Sequence, residues 1–233
     1  MRKRTEIILA LDTKTLEEGW AMLDRLGTAL RHVKIGPRLY ALGGRGFLES
    51  VRSRGYDIFL DLKLHDIPNT VALAVDAFAR LGLWGLSLHS AGGREMLCQA
   101  RDARNGAESP LKLLGISVLT SLDDALWGEV SPAGGTVRDA VAARARLCAD
   151  VGIDGLVSSP QELSLVNAVA GDRLLKVIPG IRPQAAGDDQ RRTASVTVAV
   201  RDGADYLVIG RPLLEAPDPA ATLEALRKEI EEA

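Results

Sequence analysis

One apolar segment of this sequence carries acidic and basic side chains in a pattern that suits chemistry. Within residues 59–66, Asp61 and Lys63 stand between leucines. Side chains alternate along a β-strand, so these two residues are expected to project to one side and the leucines to the other. A carboxylate and an ammonium group aimed at one ligand can stabilise charge or transfer a proton. The alternative is an internal ion pair, which must offset a large desolvation cost.

Two further charged residues are predicted to lie beside this pair. Asp12 follows the first apolar run of the chain, and Lys34 interrupts the second. A lysine within an apolar strand is unfavourable unless its ammonium group meets a carboxylate. The sequence therefore predicts one network of alternating charge on three consecutive strands. Such a cluster favours a catalytic site.

Asp66 follows Lys63 by three residues and has two interpretations. It is either a member of the charged site or the N-cap of the next helix, whose first turn contains Pro68. The local pattern leaves both roles open, and one side chain can serve both.

The elements that position these residues alternate along the chain. Amphipathic patterns predict helices over 16–26, 71–81, 138–151 and 218–232. Between helical stretches, β-rich runs recur at intervals of roughly 25–30 residues, the size of one βα unit. The runs are residues 6–11, 32–35, 56–61, 85–89, 112–118, 155–157, 174–178 and 206–209. We predict an α/β fold, a single-domain (β/α)8 TIM barrel spanning 1–233; a doubly wound open sheet is the alternative.

Glycine and arginine recur after the seventh and eighth predicted strands, where barrels of this type often bind phosphate. Glycine lets backbone N–H groups approach an oxygen closely, and arginine supplies charge-assisted donors. The residues concerned are Pro179, Gly180, Arg182, Gln190, Gly210 and Arg211. A plain strand-to-helix turn explains the last two by themselves. Both features together predict a phosphorylated small molecule.

Composition excludes several classes of protein. The net charge of -2 argues against a broad basic surface for nucleic acid. No apolar run reaches the roughly 18 residues of a membrane span, and no signal peptide is predicted. No Gly-x-Gly-x-x-Gly motif follows the first strand, which disfavours dinucleotide binding. Cys98 and Cys148 are predicted to be free thiols, which fits a reducing cytoplasm.

These segments resemble the motifs of the orotidine 5′-phosphate decarboxylase family. Residues 61–70, Asp-Leu-Lys-Leu-His-Asp-Ile-Pro-Asn-Thr, resemble the family pattern Asp-x-Lys-x-x-Asp-Ile-Pro-x-Thr. The other motifs, in chain order, are Leu-Ala-Leu-Asp at 9–12, Val-Lys-Ile-Gly at 33–36, Leu-Thr-Ser at 119–121, Pro-Gly-Ile-Arg-Pro at 179–183 and Ile-Gly-Arg at 209–211. The similarity covers residues 9–211, and the Ile-Pro-x-Thr extension makes it specific.

The resemblance implies a function and an assembly. Members of this family are homodimeric (β/α)8 barrels whose active sites lie at the subunit interface. The implied reaction converts orotidine 5′-monophosphate to uridine 5′-monophosphate, the last step of de novo pyrimidine biosynthesis, with no cofactor and no metal. In the implied mechanism Lys63 stabilises and then protonates the carbanion at C6 of the pyrimidine.

The resemblance also implies roles for individual residues. The implied catalytic residues are Asp61, Lys63, Lys34 and Asp66, with Asp66 contributed by the partner subunit. The implied substrate-binding residues are Asp12 and Lys34 for the ribose, Ile67 and Thr70 beside Asp66, Thr120 or Ser121 for the base, and Gln190 and Arg211 for the phosphate, with Pro179, Arg182 and Gly210 close by.

Two other functions share part of this pattern. An Mg²⁺-dependent phosphosugar decarboxylase or aldolase resembles this chain in fold and in the Asp-x-Lys-x-x-Asp motif, although residues 67–70 and 180–183 favour the nucleotide. A non-catalytic sensor of a phosphorylated ligand is the other, and the complete set of Asp61, Lys63 and Asp66 argues against it.

Overall fold

Short segments rich in β-branched residues and leucine form the inner layer of the protein. The computed structural model describes residues 5–131, 134–181 and 194–233. Eight parallel strands pair in chain order, and β8 pairs with β1 to close a barrel. The strands are β1 Glu6–Ala10, β2 His32–Ile35, β3 Asp57–Leu64, β4 Gly85–His89, β5 Lys112–Ile116, β6 Gly155–Val157, β7 Leu175–Ile178 and β8 Tyr206–Ile209. The predicted fold class is confirmed.

Amphipathic helices follow the strands and cover the outside of the barrel. The α-helices of the described residues are α1 Leu16–Leu26, α2 Pro37–Ser53, α3 Pro68–Ala79, α4 Gly93–Gly106, α5 Asp124–Val130, α6 Val137–Val151, α7 Leu163–Ala170, α8 Val196–Arg201, α9 Arg211–Leu214 and α10 Pro219–Glu232. Helix α6 begins with a capping box, in which Thr136 and Asp139 satisfy each other's backbone N–H groups. The helical segment between two strands returns the chain to the amino end of the next strand, so the carboxyl ends of the strands share one rim.

Apolar side chains form two separate clusters. The larger lies between the strands and the helices and includes Leu9, Leu60 and Leu88. The smaller contains side chains from the opposite faces of the strands, such as Ile8, Phe59 and Val208. This division follows from the alternation of side chains along each strand.

Several predicted element ends differ from the structure. Strand β1 ends at Ala10, so Asp12 lies beyond it. Strand β3 runs to Leu64 rather than ending at Asp61, while β5 stops at Ile116 and β7 begins one residue later than predicted. Apolar character continues beyond the point where strand pairing stops, so the sequence pattern does not define the exact strand ends.

Candidate active site

A cavity of about 440 Å³ opens at the carboxyl end of the barrel. Its volume falls within the range of roughly 300–1,000 Å³ that is typical of small-molecule sites. Polar residues of its wall come from both halves of the barrel: Asp12, Lys34, Asp61, Lys63, Thr120, Gly210 and Arg211. The charged cluster of the first three strands and the glycine-arginine turn after β8 therefore face one space.

Asp61 is the centre of an ionic network in this cavity. Lys63 Nζ donates a hydrogen bond to Asp61 Oδ2 at 2.8 Å. Lys34 Nζ lies 3.4 Å from the same oxygen and donates to Asp12 Oδ1 at 3.2 Å. The four side chains alternate in charge, so each ammonium group contacts at least one carboxylate.

This network fixes the charge of its buried members. Burial raises the pKa of the Asp61 carboxyl group, but the ammonium groups of Lys34 and Lys63 outweigh it and bring the pKa below the ordinary value of 3.8. Burial lowers the pKa of the Lys34 amine, and the charges of Asp61 and Asp12 outweigh that effect, so the pKa lies above 10.5. Asp61 and Lys34 are therefore both charged throughout the neutral pH range.

The backbone of β3 is irregular at the catalytic candidates. Lys63 has a φ of 50°, in the left-handed region that a residue with a side chain rarely adopts. Such a conformation costs about 1–2 kcal/mol. The pairing of β3 with β4 shifts register between Leu60 and Leu64. The cost is consistent with a functional position, because strained residues concentrate at such sites.

Ser87 on β4 is a member of this site that the sequence analysis missed. Its side chain is fully buried, and its hydroxyl group donates to Asp61 Oδ1 at 2.8 Å. A serine within an apolar strand resembles any small buried residue in the sequence. The only indication of a role was its position between Leu86 and Leu88, which directs its side chain to the interior of the barrel. The apolar part of the cavity wall was also missed, because its residues look like ordinary core residues in the sequence. It includes Phe59, Ile116, Val118, Leu119, Val157, Val208 and Leu214.

Two histidines stack beside the network. The rings of His65 and His89 lie 5.2 Å apart at an interplanar angle of 18°. Burial, together with the positive charges of Arg144 and Lys63 and the neighbouring His65, lowers the pKa of His89 to about 4. His89 is therefore neutral at neutral pH, and its Nδ1 accepts a hydrogen bond from the backbone N–H of Ala91.

Asp66 and its neighbours lie on the surface and do not line the cavity of their own chain. Asp66, Ile67 and Thr70 are all exposed. Asp66 Oδ1 accepts a hydrogen bond from the N–H of Ile67, and the N-cap of α3 is Ile67. The N-cap interpretation of Asp66 is thus wrong, because the chain enters the helix one residue later.

The remaining predicted residues divide by position. Thr120 lines the cavity together with Pro179, whereas Ser121 is exposed and does not. Gly210 precedes α9 and lies beside Ala10, where an added Cβ would stand 3.4 Å from the Ala10 Cβ, an ordinary van der Waals contact. The predicted residues Arg182 and Gln190 lie outside the described residues.

The described residues contain neither a metal-binding cluster nor a membrane-spanning helix. Within residues 5–131, 134–181 and 194–233, no group of three or more His, Cys, Asp or Glu side chains is placed to hold a metal ion. In the same part of the chain, none of the helices has the length and apolar character that crossing a membrane requires.

Comparison with known proteins shows the family. The chain belongs to the orotidine 5′-phosphate decarboxylase / HUMPS family, whose sequence model matches residues 5–226. An orotidine 5′-phosphate decarboxylase from Methylobacterium sp. (strain 4-46) is 45% identical over 232 residues, which cover 99% of this chain and 97% of that protein. Another from Chromobacterium violaceum is 41% identical, covering 98% and 93%.

A solved structure agrees with these matches. The crystal structure of orotidine 5′-phosphate decarboxylase from Lactobacillus acidophilus superposes with a TM-score of 0.86 at 33% identity. The alignment covers 97% of this chain and 99% of that one. The sequence matches and the structural superposition therefore both support the family and the barrel.

Proposed function

We propose that this protein is a carboxy-lyase that converts orotidine 5′-monophosphate to uridine 5′-monophosphate in de novo pyrimidine biosynthesis. The observation that carries the proposal is that Lys63 and Arg211 line one cavity, with the Asp61 network around the lysine. A cationic centre at one end and an arginine at the other suit a substrate with a reacting anion and a distant phosphate. The names of the relatives support the same activity.

Lys63 provides the chemistry in this proposal. The bond between C6 and the carboxylate breaks, CO₂ leaves, and the electron pair stays on C6. The Lys63 ammonium group stabilises that charge and then donates its proton to form the C6–H bond. The amine regains a proton from water. A fixed cation in a partly desolvated site replaces the electron sink of a cofactor.

Asp61 acts on the substrate carboxylate in this proposal. Two like charges about 4 Å apart at an effective dielectric constant near 20 repel by roughly 4 kcal/mol. Relief of that repulsion as CO₂ departs can contribute about three powers of ten in rate. Electrostatic stabilisation by Lys63 is the larger contribution, because it grows as charge develops in the transition state.

The other residues hold the nucleotide in place. Asp12 and Lys34 bind the ribose hydroxyl groups, and Thr120 contacts the base. Thr120 is preferred over Ser121 for this contact because only Thr120 of the two lines the cavity. Arg211 binds the phosphate with Gly210, and Pro179, Arg182 and Gln190 complete the phosphate end. Binding energy from this remote group can align the reacting part of the substrate.

The decisive assay follows ultraviolet absorbance of orotidine 5′-monophosphate in buffer containing EDTA. Turnover at the same rate with and without added Mg²⁺ supports the proposal. The Mg²⁺-dependent phosphosugar alternative predicts loss of activity in EDTA. Lys34 argues against that alternative, because its ammonium group lies between Asp12 and Asp61, where a divalent cation would have to share those carboxylates.

The active unit in this proposal is a homodimer with shared sites. Ile67, which follows Asp66 and caps α3, is 67% exposed, and Leu73 within α3 is 65% exposed. Large exposed apolar side chains favour a protein interface. Asp66 of the partner subunit would then reach Lys63 across that interface.

Mixing two inactive variants tests the shared site. Lys63→Ala and Asp66→Asn homodimers are each expected to be inactive. After subunit exchange, activity should return to roughly a quarter of wild type, because half of the dimers are mixed and each keeps one intact site. Absence of recovery, with mixed dimers present by native mass spectrometry, would contradict the shared site.

We also propose a cytoplasmic location. Cys98 and Cys148 are both free thiols, which fits a reducing compartment. Cell fractionation with activity measured in each fraction checks this location.

A further inference from the structure

We propose that Ser87 is a positioning residue for decarboxylation, because its hydroxyl group holds both the Asp61 carboxylate and the backbone of Lys63. The inference rests on the proposed function and adds to it a residue that does not itself contact the substrate. The hydroxyl is fully buried on β4, directly behind the ionic network.

The first step of the argument is the irregular pairing of β3 with β4. Leu60 pairs with Leu86 and Leu64 pairs with Leu88. Three residues of β3 therefore stand opposite the single residue Ser87 of β4. A bulge of this kind removes the regular backbone partners of the extra residues. The N–H of Lys63 donates instead to Ser87 Oγ at 2.8 Å.

The second step is the orientation of the Asp61 carboxylate. Ser87 Oγ donates to Asp61 Oδ1 at 2.8 Å, while Lys63 and Lys34 both contact Asp61 Oδ2. One oxygen of the carboxylate is thus held by the serine and the other by the two lysines. The hydroxyl group uses its proton for Asp61 and a lone pair for Lys63, so both of its capacities are engaged.

Together these bonds connect the strained backbone of Lys63 to the carboxylate that the same residue's ammonium group contacts. Without the hydroxyl, the part-buried N–H of Lys63 loses this partner and Asp61 loses the bond that holds its Oδ1. The left-handed conformation of Lys63 then has less to hold it, so the ammonium group should spend less time where C6 of the substrate lies.

The principal test is Ser87→Ala in the full-length enzyme with orotidine 5′-monophosphate. We expect kcat to fall by roughly 10- to 100-fold, the range for loss of a hydrogen bond to a charged group. KM and the affinity for uridine 5′-monophosphate should change by less than about threefold, since ligand contacts remain. The Ser87 hydroxyl also lowers the pKa of Asp61, so the acid limb of kcat/KM should move to higher pH.

Three further variants separate the hydroxyl group from packing. Ser87→Thr keeps a hydroxyl and suits a strand, so it should restore much of kcat. Ser87→Cys fills the space with a weak donor and should behave like Ser87→Ala. Ser90→Ala is the matched control: Ser90 is 1% exposed and donates to the backbone carbonyl of Ile116. It should lose stability without loss of kcat or movement of the acid limb.

These measurements test the positioning role of Ser87 separately from the proposed decarboxylation. If wild-type protein turns over the substrate and Ser87→Ala keeps near-normal kcat and pH profile, the positioning role is wrong and the proposed function stands. The role is equally wrong if Ser87→Cys is active and Ser87→Thr is not. If wild-type protein does not turn over orotidine 5′-monophosphate, the proposed function fails first.

Discussion

The two ends of the barrel both bury ionisable groups, but they surround them with different neighbours. At the amino end, the His32 imidazole is 3% exposed and lies 3.2 Å from Glu6 Oε2 and 3.5 Å from Asp57 Oδ2. The rings of Trp84 and Tyr206 pack edge-on against it at 5.1 and 5.4 Å. Aromatic contacts of this kind fill the space around the histidine and stabilise the fold.

At the carboxyl end, the ammonium groups of Lys34 and Lys63 face the cavity instead of aromatic rings. Asp61 is held on both oxygens, by Ser87 on one side and by the lysines on the other. The charges are thus fixed in position but remain open to a ligand. Preorganised charge beside a cavity is what electrostatic catalysis requires.

The difference teaches which buried charges point to function. Burial by itself does not, because His32 is 3% exposed and Asp61 is 7% exposed. The distinguishing features are an adjoining cavity, a strained backbone at Lys63 and a further charged residue from β8's end, Arg211, in the same cavity wall. Substitutions at one end of the barrel should therefore affect catalysis or ligand binding only when they lie at the carboxyl end.

The largest effect is expected for Lys63→Ala. Loss of charge stabilisation removes about 10²–10³ in rate and loss of the proton donor another 10²–10⁴, so kcat should fall at least about 10⁴-fold. The matched control at the amino end is Lys112→Ala, which removes an ammonium group 5.5 Å from the centre of the Trp84 ring. Its kcat should equal that of wild type, measured in the same absorbance assay.

Product binding shows whether Lys63→Ala remains folded. Calorimetry should detect uridine 5′-monophosphate binding to the variant, since the phosphate and ribose contacts are intact. Near-normal kcat in Lys63→Ala, or an equal loss in Lys112→Ala, would remove the proposed contrast between the two ends.

A smaller effect is expected for Arg211→Ala. The guanidinium group is proposed to bind the phosphate, and a hydrogen bond to a charged group is worth about 1.5–3 kcal/mol. KM should therefore rise by roughly 10- to 100-fold. Inhibition constants for uridine 5′-monophosphate and uridine give the measurement.

The uridine arm is the internal control of the Arg211 experiment. Uridine has no phosphate, so its inhibition constant should be the same for wild type and Arg211→Ala. Equal weakening of both ligands would mean that the substitution distorts the cavity, and an unchanged constant for the nucleotide would contradict phosphate binding by Arg211.

The sequence predicted the barrel because its signal is local and repeated eight times. Apolar runs at the spacing of a βα unit are visible without any knowledge of contacts. Helix Leu16–Leu26 matches its predicted bounds, and the strands differ mainly at their ends. The stretch between 122 and 135 contains α5, which was not predicted, because seven residues give too little periodicity.

Site details depended on contacts that are distant in sequence. Alternation placed Asp61 and Lys63 on the same side, but the bulge that brings them together involves Ser87, 24 residues after Lys63. The local pattern left Asp66 open as either the N-cap or a site residue, and the structure places the N-cap at Ile67. The partner-subunit role of Asp66 and the base contact of Thr120 came only from resemblance to the family, because local pattern does not identify a partner subunit or the base of a ligand.

The smallest and most diagnostic effect concerns two histidines, one at each end. Burial lowers the pKa of His32 despite the opposing charges of Glu6 and Asp57, with Arg31 and Lys112 adding to the lowering. His89 at the carboxyl end has a pKa lowered to about 4. Both native pKa values lie below the unfolded value of 6.5, so the unfolded chain binds protons first as pH falls. The free energy of unfolding should therefore decrease from pH 6.5 towards pH 5.

Non-titrating replacements should each flatten this dependence. His89→Asn keeps an acceptor for the N–H of Ala91, and His32→Phe keeps a ring against Trp84 and Tyr206. Urea unfolding at several pH values measures the slope, whose ceiling is about 1.4 kcal/mol per pH unit for one group. The His89 contribution should stay well below that ceiling, since solvent screens a partly exposed ring. If both variants flatten the pH dependence and His32→Phe keeps its kcat at pH 7, the histidines at both ends contribute to stability, while the amino-end histidine has no part in catalysis. An unaltered slope in either variant would show that its histidine has an ordinary pKa in the folded protein.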